Sequence, residues 1–253
     1  MSAHDTNTRK WWCGSNINTV GTTEVVSANV EVSLRVLTGP TGCGKTRVLH
    51  YLRTQGHQML DLEALANHRG SVLGACSSAQ PSQKWFESML ARELERMDAA
   101  RPVFVEDEAP YIGTIHIPPA LWQRMLTAPR FMLETPLEMR VRYTLEEYAH
   151  LTTQSEASHL KQCLEKLAKH HSESTLSAWM ALIDECKYGE LVGDLLTKHY
   201  DPANRRSSIA RCRNKHSVIH IGVSGLDAEA LARDLPPSRY FSYLALLVQM
   251  YEY

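Results

Sequence analysis

Residues Gly39–Thr46 have the composition and spacing of a phosphate-binding loop. They read Gly-Pro-Thr-Gly-Cys-Gly-Lys-Thr and satisfy the pattern G-x-x-x-x-G-K-[ST] in full. Glycines let successive backbone N–H groups point at one anion, and the positive end of the following helix adds to the attraction. The alternative is a Gly-rich turn that binds no ligand. The predicted phosphate-binding residues are Gly39, Thr41, Gly42, Cys43, Gly44, Lys45 and Thr46.

Acidic residues end two other apolar runs and are expected near this loop. One run ends in Glu106-Asp107-Glu108 and the other in Asp61-Leu62-Glu63. In an open α/β sheet, ligands collect at the carboxyl ends of the strands. We expect Thr46 and Glu106 to hold Mg²⁺ if the ion is present, and one of the two acids that follow Glu106 to act as a base. The predicted catalytic residues are Lys45, Asp61, Glu106 and Asp107.

Three further side chains are candidates for a second substrate. His68 and Arg69 follow the acids Asp61 and Glu63, and Arg140 follows a later β-type run. Arginine can clamp phosphates in a bidentate manner. Simpler roles stay open for these residues. Asp61 or Glu63 can cap a helix, and His68 and Arg69 can form a solvated loop. Arg140 can lie on a solvated charged helix face.

The elements that must position these residues alternate along the chain. Apolar strand patterns and helical patterns alternate from residue 32 to residue 133, which predicts an α/β fold of the P-loop NTPase or kinase-like type, with helices on both faces of a parallel sheet. Three consecutive apolar stripes with helical spacing then predict a helical subdomain. We expect a flexible tail at 1–30, the α/β core at 31–150, the helical subdomain with a basic segment at 151–215, and at 216–253 a βα return to the core with a C-terminal helix.

Bulk composition limits the classes of function. The chain has 253 residues and a formal net charge of −1, so nucleic-acid binding requires a local basic patch. The concentrated patch lies between Asp201 and Asp227, where no acid occurs, and its cations are Arg205, Arg206, Arg211, Arg213 and Lys215. These residues can track an RNA backbone, and the alternative is a solvated basic loop.

Cysteine usage and hydropathy indicate the compartment. The six cysteines are scattered without a C-x-x-C pair, which predicts reduced thiols and no structural metal site. Cys43 lies in the loop, where a helix N-terminus can lower the pKa of a thiol, or it simply fills a small space. No apolar stretch is long enough to span a bilayer, and no secretory signal layout begins the chain, so we expect a cytoplasmic protein without a membrane partner.

Several blocks together resemble a known family. They are Asp61-Leu62-Glu63 with Ala66-Asn67-His68-Arg69-Gly70-Ser71, Gln80-Pro81-Ser82-Gln83, Val105-Glu106-Asp107-Glu108 with Ile112-Gly113, and Tyr200-Asp201-Pro202. Their order is similar to that in the P-loop half of tRNA 2-selenouridine synthases. The departure is Asn204, which stands where the family tends to have tyrosine. The resemblance adds Ser71, Gln80 and Gln83 to the expected substrate-binding residues, beside Glu63, His68, Arg69 and Arg140.

The resemblance implies work on the wobble 2-thiouridine of tRNA. That family attaches a geranyl group from geranyl diphosphate to sulfur and then replaces it with selenium from selenophosphate. A phosphate loop can hold this diphosphate as well as ATP or GTP, and Tyr111, Ile112, Trp122 or Phe86 are candidates to line a slot for the geranyl chain. The family also has a rhodanese-like domain with a reactive cysteine. About thirty residues precede the first predicted strand, too few for such a domain, so we expect either that a separate rhodanese-like protein supplies this half as a partner or that this chain performs only part of the reaction sequence.

Two other classes of function stay open from the sequence. One is a small-molecule or nucleoside kinase, in which Glu106 or Asp107 activates a hydroxyl group and Arg140 and Arg142 clamp ATP. The other is a nucleotide- or tRNA-binding module without chemistry of its own, which would dock tRNA for a separate rhodanese protein.

Overall fold

A parallel five-stranded sheet forms the centre of the molecule. The structure, a computed structural model, describes residues 32–68, 79–205 and 218–235. Strand order across the sheet is β2-β3-β1-β6-β7, and all four neighbouring pairs are parallel. The predicted α/β P-loop architecture is confirmed. The strands are β1 (Leu34–Thr38), β2 (Gln58–Leu60), β3 (Val103–Glu106), β6 (Arg130–Glu134) and β7 (Val218–Gly222), and a separate antiparallel hairpin pairs β4 (Tyr111–Ile112) with β5 (Ile115–His116).

Helices cover both faces of this sheet because the strand side chains alternate. Val36 and Val105 point into one apolar cluster, whereas their neighbours Leu37 and Phe104 point into another. All five residues of β1 are buried, as expected for a central parallel strand. The helices of the α/β part are α1 (Lys45–Thr54), α2 (Leu62–Ala66), α3 (Gln83–Glu95), α4 (Pro119–Thr127), α5 (Leu137–Glu147) and, late in the chain, α9 (Ala228–Asp234).

The predicted helical subdomain forms a cluster of its own around Trp179, which is fully buried. Its helices are α6 (Ala157–Glu165), α7 (Glu173–Asp184) and α8 (Tyr188–Asp194), followed by a π-helical turn at Leu195–Tyr200. Short 3₁₀ turns lie at Ala149–Leu151, Gln154–Glu156 and Ala168–His170, and residues 201–205 are again helical.

After the subdomain the chain returns to the sheet, where β7 pairs with β6. Asp227 caps α9, since its Oδ1 accepts a hydrogen bond of 2.8 Å from the Ala230 amide. The predicted tail at 1–30 and the predicted C-terminal helix lie outside the described residues. Among the described helices, none has the length and apolar character needed to cross a membrane.

Candidate phosphate-binding site

At two positions, the loop between β1 and α1 has a backbone conformation that strongly favours glycine. Gly42 and Gly44 have φ angles of 76° and 84°, in the left-handed region. A Cβ on Gly42 would lie 2.7 Å from the Thr144 hydroxyl, and a Cβ on Gly44 would lie 2.3 Å from a methyl group of Leu226. Glycine at these two positions therefore allows the tight turn of the loop and its close packing against Thr144 and Leu226.

Lys45 begins α1 and turns back toward the first residue of the loop. Its Nζ lies 3.4 Å from the carbonyl oxygen of Gly39. Burial on its own would lower the pKa of this ammonium group, but negative neighbours that include Glu106 and Glu108 outweigh it and raise the pKa. Lys45 therefore carries its charge at neutral pH, directly beside the loop whose N–H groups it would assist in binding an anion.

Thr46 and Glu106 meet across the carboxyl ends of β1 and β3, as predicted. The Thr46 hydroxyl lies close enough to the Glu106 carboxylate to lower its pKa, and that carboxylate is only 4% exposed. Burial raises the pKa of Glu106 to about 7. Within the described part of the chain, Glu106 Oε1 is buried and accepts no hydrogen bond. Since the described residues supply no partner for this oxygen, it is available to accept a bond from a ligand or an ion.

The Thr46 and Glu106 oxygens fit a Mg²⁺ ion. Mg²⁺ takes one or two carboxylates together with waters and substrate phosphates, and does not need a cage of protein ligands. The described residues contain no group of three or more His, Cys, Asp or Glu with the geometry of a metal site. The orphaned Glu106 oxygen beside a phosphate-loop hydroxyl is the observation on which this fit rests.

Glu63 and Glu108 extend the negative field around Lys45. Burial raises the pKa of Glu63 to about 9, and the charges of Glu108 and Glu106 add to the effect. Glu63 is consequently protonated at neutral pH and can donate a hydrogen bond as well as accept one. The prediction that Glu63 lies near the phosphate loop agrees with this electrostatic coupling to Lys45.

Asp107 occupies a place that does not suit a base. Its Oδ1 lies 2.9 Å from Arg130 Nη1, and its Oδ2 accepts a hydrogen bond of 2.8 Å from the Thr38 hydroxyl. Arg130 and Asp107 are both buried, with side chains 7% and 5% exposed. The expected catalytic role of Asp107 does not match this placement, because both carboxylate oxygens already join β1 to β6.

Asp61 adopts the simpler of its two predicted roles, that of a helix cap. Its Oδ1 accepts a hydrogen bond of 2.8 Å from the Ala64 amide at the start of α2. Its other oxygen pairs with His50 Nε2 at 2.8 Å, and that hydrogen bond raises the pKa of His50. Both oxygens are thus engaged within the protein, which argues against the expected catalytic role of Asp61.

Gln80 and Gln83 fasten the β4–β5 hairpin to the core. Gln80 Nε2 donates to the carbonyls of Ala66 and Ile112, and its Oε1 accepts from the Thr114 amide. Gln83 Nε2 donates a hydrogen bond of 2.8 Å to the His116 carbonyl, and Gln83 Oε1 accepts one of 2.9 Å from the His116 amide. The resemblance implied substrate contacts for both glutamines, but their amide groups are used in holding the hairpin.

Arg140 is buried and joins three parts of the structure, so it does not lie on a solvated helix face. Its Nη atoms form a bidentate pair with Asp201 at 2.6 and 3.0 Å, and its Nε donates to the Thr41 carbonyl at 2.9 Å. Asn204 Nδ2 donates to the Thr41 hydroxyl at 3.0 Å. Arg140, which was expected to clamp phosphate, therefore links the helical subdomain to the outer side of the loop. We call these contacts of Arg140 with Asp201 and Thr41 the subdomain strut.

The remaining predicted residues are partly described. His68 lies half-buried just after α2, whereas Arg69 and Ser71 lie outside the described residues. Arg205 is exposed at the end of the helical residues 201–205. The rest of the basic segment, Arg206, Arg211, Arg213 and Lys215, also lies outside them.

Cys43 is fully buried within the loop. Burial raises the pKa of its thiol, so the side chain fills space and is not an activated nucleophile. Of the residues proposed for a geranyl slot, Phe86 and Ile112 are fully buried in one core cluster, Trp122 packs against that cluster, and Tyr111 is exposed. Sequence reasoning missed Asp201 as the partner of Arg140, and its place in the Tyr200-Asp201-Pro202 block was the one signal that singled it out.

With this geometry described, comparison with known proteins assigns the family. The family model described as "tRNA 2-selenouridine synthase AAA domain" matches residues 32–220. The chain belongs to this family. The match covers the P-loop, the helical subdomain and β7 up to residue 220, and thus confirms the resemblance derived from the motifs.

Individual relatives match shorter stretches. A tRNA 2-selenouridine synthase of Nitrosomonas europaea is 39% identical over 138 residues, covering 53% of this chain and 36% of that protein. That of Alcanivorax borkumensis is 43% identical over 127 residues, covering 49% and 34%. That of Pseudomonas syringae pv. syringae is 32% identical over 228 residues, covering 80% and 60%. The chain thus spans between one third and three fifths of the length of these relatives.

Proposed function

We propose that this chain is the P-loop component of tRNA wobble 2-thiouridine modification, and that its loop binds the diphosphate of geranyl diphosphate. The observation that carries the proposal is the phosphate loop at Gly39–Thr46, with Lys45 charged beside it and with the buried Glu106 Oε1 that accepts no hydrogen bond from the described residues. Family membership supplies the tRNA context.

The chemistry that this cradle would assist is displacement at an allylic carbon. The sulfur of 2-thiouridine forms a bond to C1 of the geranyl group while the C1–O bond breaks, and the electron pair of that bond leaves on pyrophosphate. The ring N3 proton is then released to water, because the S-alkylated ring would otherwise carry a positive charge. Negative charge therefore develops on the leaving diphosphate.

This chain's residues would act on the leaving group. Loop N–H groups and Lys45 donate hydrogen bonds to the diphosphate oxygens, and these bonds strengthen as charge accumulates in the transition state. Thr46 and Glu106 would hold Mg²⁺, which neutralises diphosphate charge when it is bound. The thiouridine sulfur is a good nucleophile, so correct positioning supplies much of the rest.

We further propose that the basic segment from Arg205 to Lys215 binds the tRNA backbone, and that a separate rhodanese-like protein takes part in the selenium step. Replacing Arg205, Arg206, Arg211 and Arg213 with alanine should weaken tRNA binding and reduce its salt dependence, by about one unit of slope for each arginine that pairs with a phosphate. A control variant replaces the exposed cations of α3 and its C-terminal end, Lys84, Arg92 and Arg96. Equal effects of the two variants would remove the segment from the interface.

A kinase with ATP in the loop is less well supported by the described side chains. All three nitrogen atoms of the Arg140 guanidinium are engaged with Thr41 and Asp201, and Arg142 is 73% exposed and paired with Glu146. Neither arginine is in position to clamp the phosphates of ATP. ATP turnover that increases with a small acceptor and not with tRNA would favour the kinase.

The direct test mixes the protein with geranyl diphosphate, Mg²⁺ and tRNA that carries wobble 2-thiouridine. Nuclease digestion and mass spectrometry should detect the S-geranyl nucleoside, and Lys45→Ala should reduce its rate by at least about tenfold. Addition of a rhodanese-like protein and selenophosphate tests the selenium step. Failure of the wild-type protein to bind either geranyl diphosphate or tRNA would refute the proposal.

A further inference from the structure

The β4–β5 hairpin presents two aromatic rings to solvent. Tyr111 pairs with His116 across the hairpin, and Ile112 pairs with Ile115. Both isoleucines are buried in the core cluster of the sheet, whereas Tyr111 is 57% exposed and His116 is exposed as well. Because successive residues of a strand point to opposite sides, the hairpin has one core side and one aromatic side. We call the rings of Tyr111 and His116 together the hairpin platform.

The hairpin platform has the flat surfaces that stacking requires. The two ring centroids lie 4.4 Å apart at an interplanar angle of 69°, which is an edge-to-face contact. Such a contact covers one face of one ring, so it leaves the other three ring faces uncovered. Tyrosine and histidine rings are among the side chains on which proteins stack unpaired nucleobases.

Gln80 and Gln83 hold the hairpin platform in a fixed position. Gln80 Oε1 accepts hydrogen bonds of 2.8 and 3.1 Å from the amide and the hydroxyl of Thr114, and Gln80 Nε2 donates one of 2.9 Å to the Ile112 carbonyl. Gln83 bonds to both backbone groups of His116. A two-stranded hairpin of this length is not stable by itself, so these bonds order the rings before a ligand arrives. An ordered surface pays less entropy when it binds.

The hairpin platform stands at the same edge of the sheet as the phosphate loop. Tyr111 follows the buried Glu108 by three residues, which span at most about 11 Å. Gln80 also donates to the Ala66 carbonyl at the end of α2, the helix that carries Glu63. Ligands of open α/β sheets bind at this edge, beyond the carboxyl ends of the strands. An RNA strand with one base at the phosphate loop therefore brings neighbouring bases to this edge.

The hairpin offers no cation to a phosphate group. Aspartate, glutamate, lysine and arginine are all absent from the sequence between Glu108 and Arg124. A contact that the hairpin makes with RNA therefore relies on stacking, whereas the basic segment would pair with phosphates. Because salt weakens RNA binding through the phosphate contacts, the two kinds of contact differ in their salt dependence.

We propose that the hairpin platform stacks an unpaired nucleobase of RNA that lies near the base undergoing modification. This inference rests on the proposed function and deepens it, because it assigns a second contact to the tRNA whose backbone the basic segment would bind. Tyr111 was a candidate to line a geranyl slot, but its exposure of 57% does not suit a closed apolar slot.

The first experiment measures the affinity of Tyr111→Ala for tRNA that carries wobble 2-thiouridine, over a range of salt concentrations. Loss of one base stack weakens binding by roughly 5- to 150-fold. The outer side of the hairpin platform is open to water, so we expect the lower part of this range, about 5- to 20-fold. The slope of log affinity against log salt should stay as in the wild-type protein, because no phosphate contact is lost.

Two control variants accompany Tyr111→Ala. Tyr111→Phe keeps the ring and should bind tRNA within about twofold of the wild-type protein. Leu137→Ala removes another large exposed apolar side chain, 41% exposed, which lies on α5 and not on the hairpin. Its tRNA affinity should also change by less than about twofold, and thermal melting establishes that all three variants fold.

The second experiment identifies the stacked base. Each unpaired nucleotide of the anticodon loop is replaced in turn by an abasic nucleotide, and binding to the wild-type protein and to Tyr111→Ala is compared. At one position, removal of the base should weaken binding to the wild-type protein by at least about fivefold and to Tyr111→Ala by less than about twofold. At the other positions the two proteins should lose affinity equally.

The outcomes separate this inference from the proposed function. If Tyr111→Ala binds tRNA like the wild-type protein, or if no abasic position distinguishes the two proteins, the hairpin platform does not stack RNA, and a protein partner becomes the better match for its exposed rings. A reduced salt slope in Tyr111→Ala would also overturn the inference. In each of these cases the phosphate loop and the basic segment keep their proposed roles. If the wild-type chain does not bind tRNA, the proposed function and this inference fall together.

Discussion

Replacing Arg140 with methionine should destabilise the protein through the subdomain strut and not primarily through ligand binding. Arg140 is 5% exposed, and its partner Asp201 has a side chain 20% exposed. Methionine keeps most of the aliphatic volume but leaves the carboxylate without its bidentate partner. Removing one member of a buried ion pair typically costs about 3–5 kcal/mol, because the other charge stays desolvated.

The partial exposure of Asp201 places this cost at the lower end of that range, about 3 kcal/mol. Loss of the hydrogen bond from Arg140 Nε to the Thr41 carbonyl adds about 1 kcal/mol. At roughly 2–4 °C for each kcal/mol in a chain of this size, the melting temperature should fall by about 8–16 °C.

The assay is thermal melting of Arg140→Met, Asp201→Asn and the double variant. The double variant should recover at least about 2 kcal/mol relative to the sum of the single variants, since it leaves no unpaired charge. Arg142→Met is the matched control on the same helix: its guanidinium is 73% exposed, and we expect a change below about 0.5 kcal/mol.

One result of these melting and binding measurements would contradict the structural role of Arg140. If Arg140→Met melts like the wild-type protein but loses diphosphate affinity, and if Asp201→Asn does not share that loss, then Arg140 clamps phosphate and the role of strut is wrong. A strut requires that both members of the pair affect stability in the same direction.

Three further predictions concern the loop and the acids beside it. Lys45→Ala should weaken geranyl diphosphate binding by about 10- to 100-fold by calorimetry, the value of one charge-assisted hydrogen bond, and should also lower the melting temperature, because it removes the cation that faces Glu106 and Glu108. Gly44→Ala should abolish this binding and lower the melting temperature, because its φ of 84° and the Leu226 contact exclude a Cβ. The pKa of Glu63 is raised to about 9 in the folded protein, whereas the ordinary pKa of 4.5 applies in the unfolded chain. Between these values the folded protein keeps a proton that the unfolded chain releases. The stability of the wild-type protein should therefore fall as pH rises from about 4.5 to 9. Glu63→Gln should flatten this fall in urea unfolding at about pH 5.5 and about pH 8.5.

Each of these has an outcome that contradicts it. Unchanged diphosphate affinity in Lys45→Ala would mean that the loop does not bind the diphosphate. Normal melting and binding in Gly44→Ala would show that the loop can relax away from Leu226. An identical dependence of stability on pH in Glu63→Gln and the wild-type protein would show that Glu63 is ionised in the folded state.

The candidate site was partly predictable because some of its constraints are local. The pairing of Thr46 with Glu106 follows from a strand, a phosphate loop and a second strand, each visible as a short pattern. In contrast, the expectation that Asp107 acts as a base took no account of its hydrogen bond with Thr38, 69 positions away. Gln80 was expected to contact substrate, but its partners include Thr114, 34 positions later.

The sequence by itself determined the phosphate loop, the alternation of strands and helices and the family, since these depend on backbone conformation and on periods of a few residues. Only the tertiary structure decided what the polar side chains do. An arginine suits a phosphate and a carboxylate equally well, and Arg140 became a strut because folding brings it to Asp201, 61 positions later, and to Thr41, 99 positions earlier.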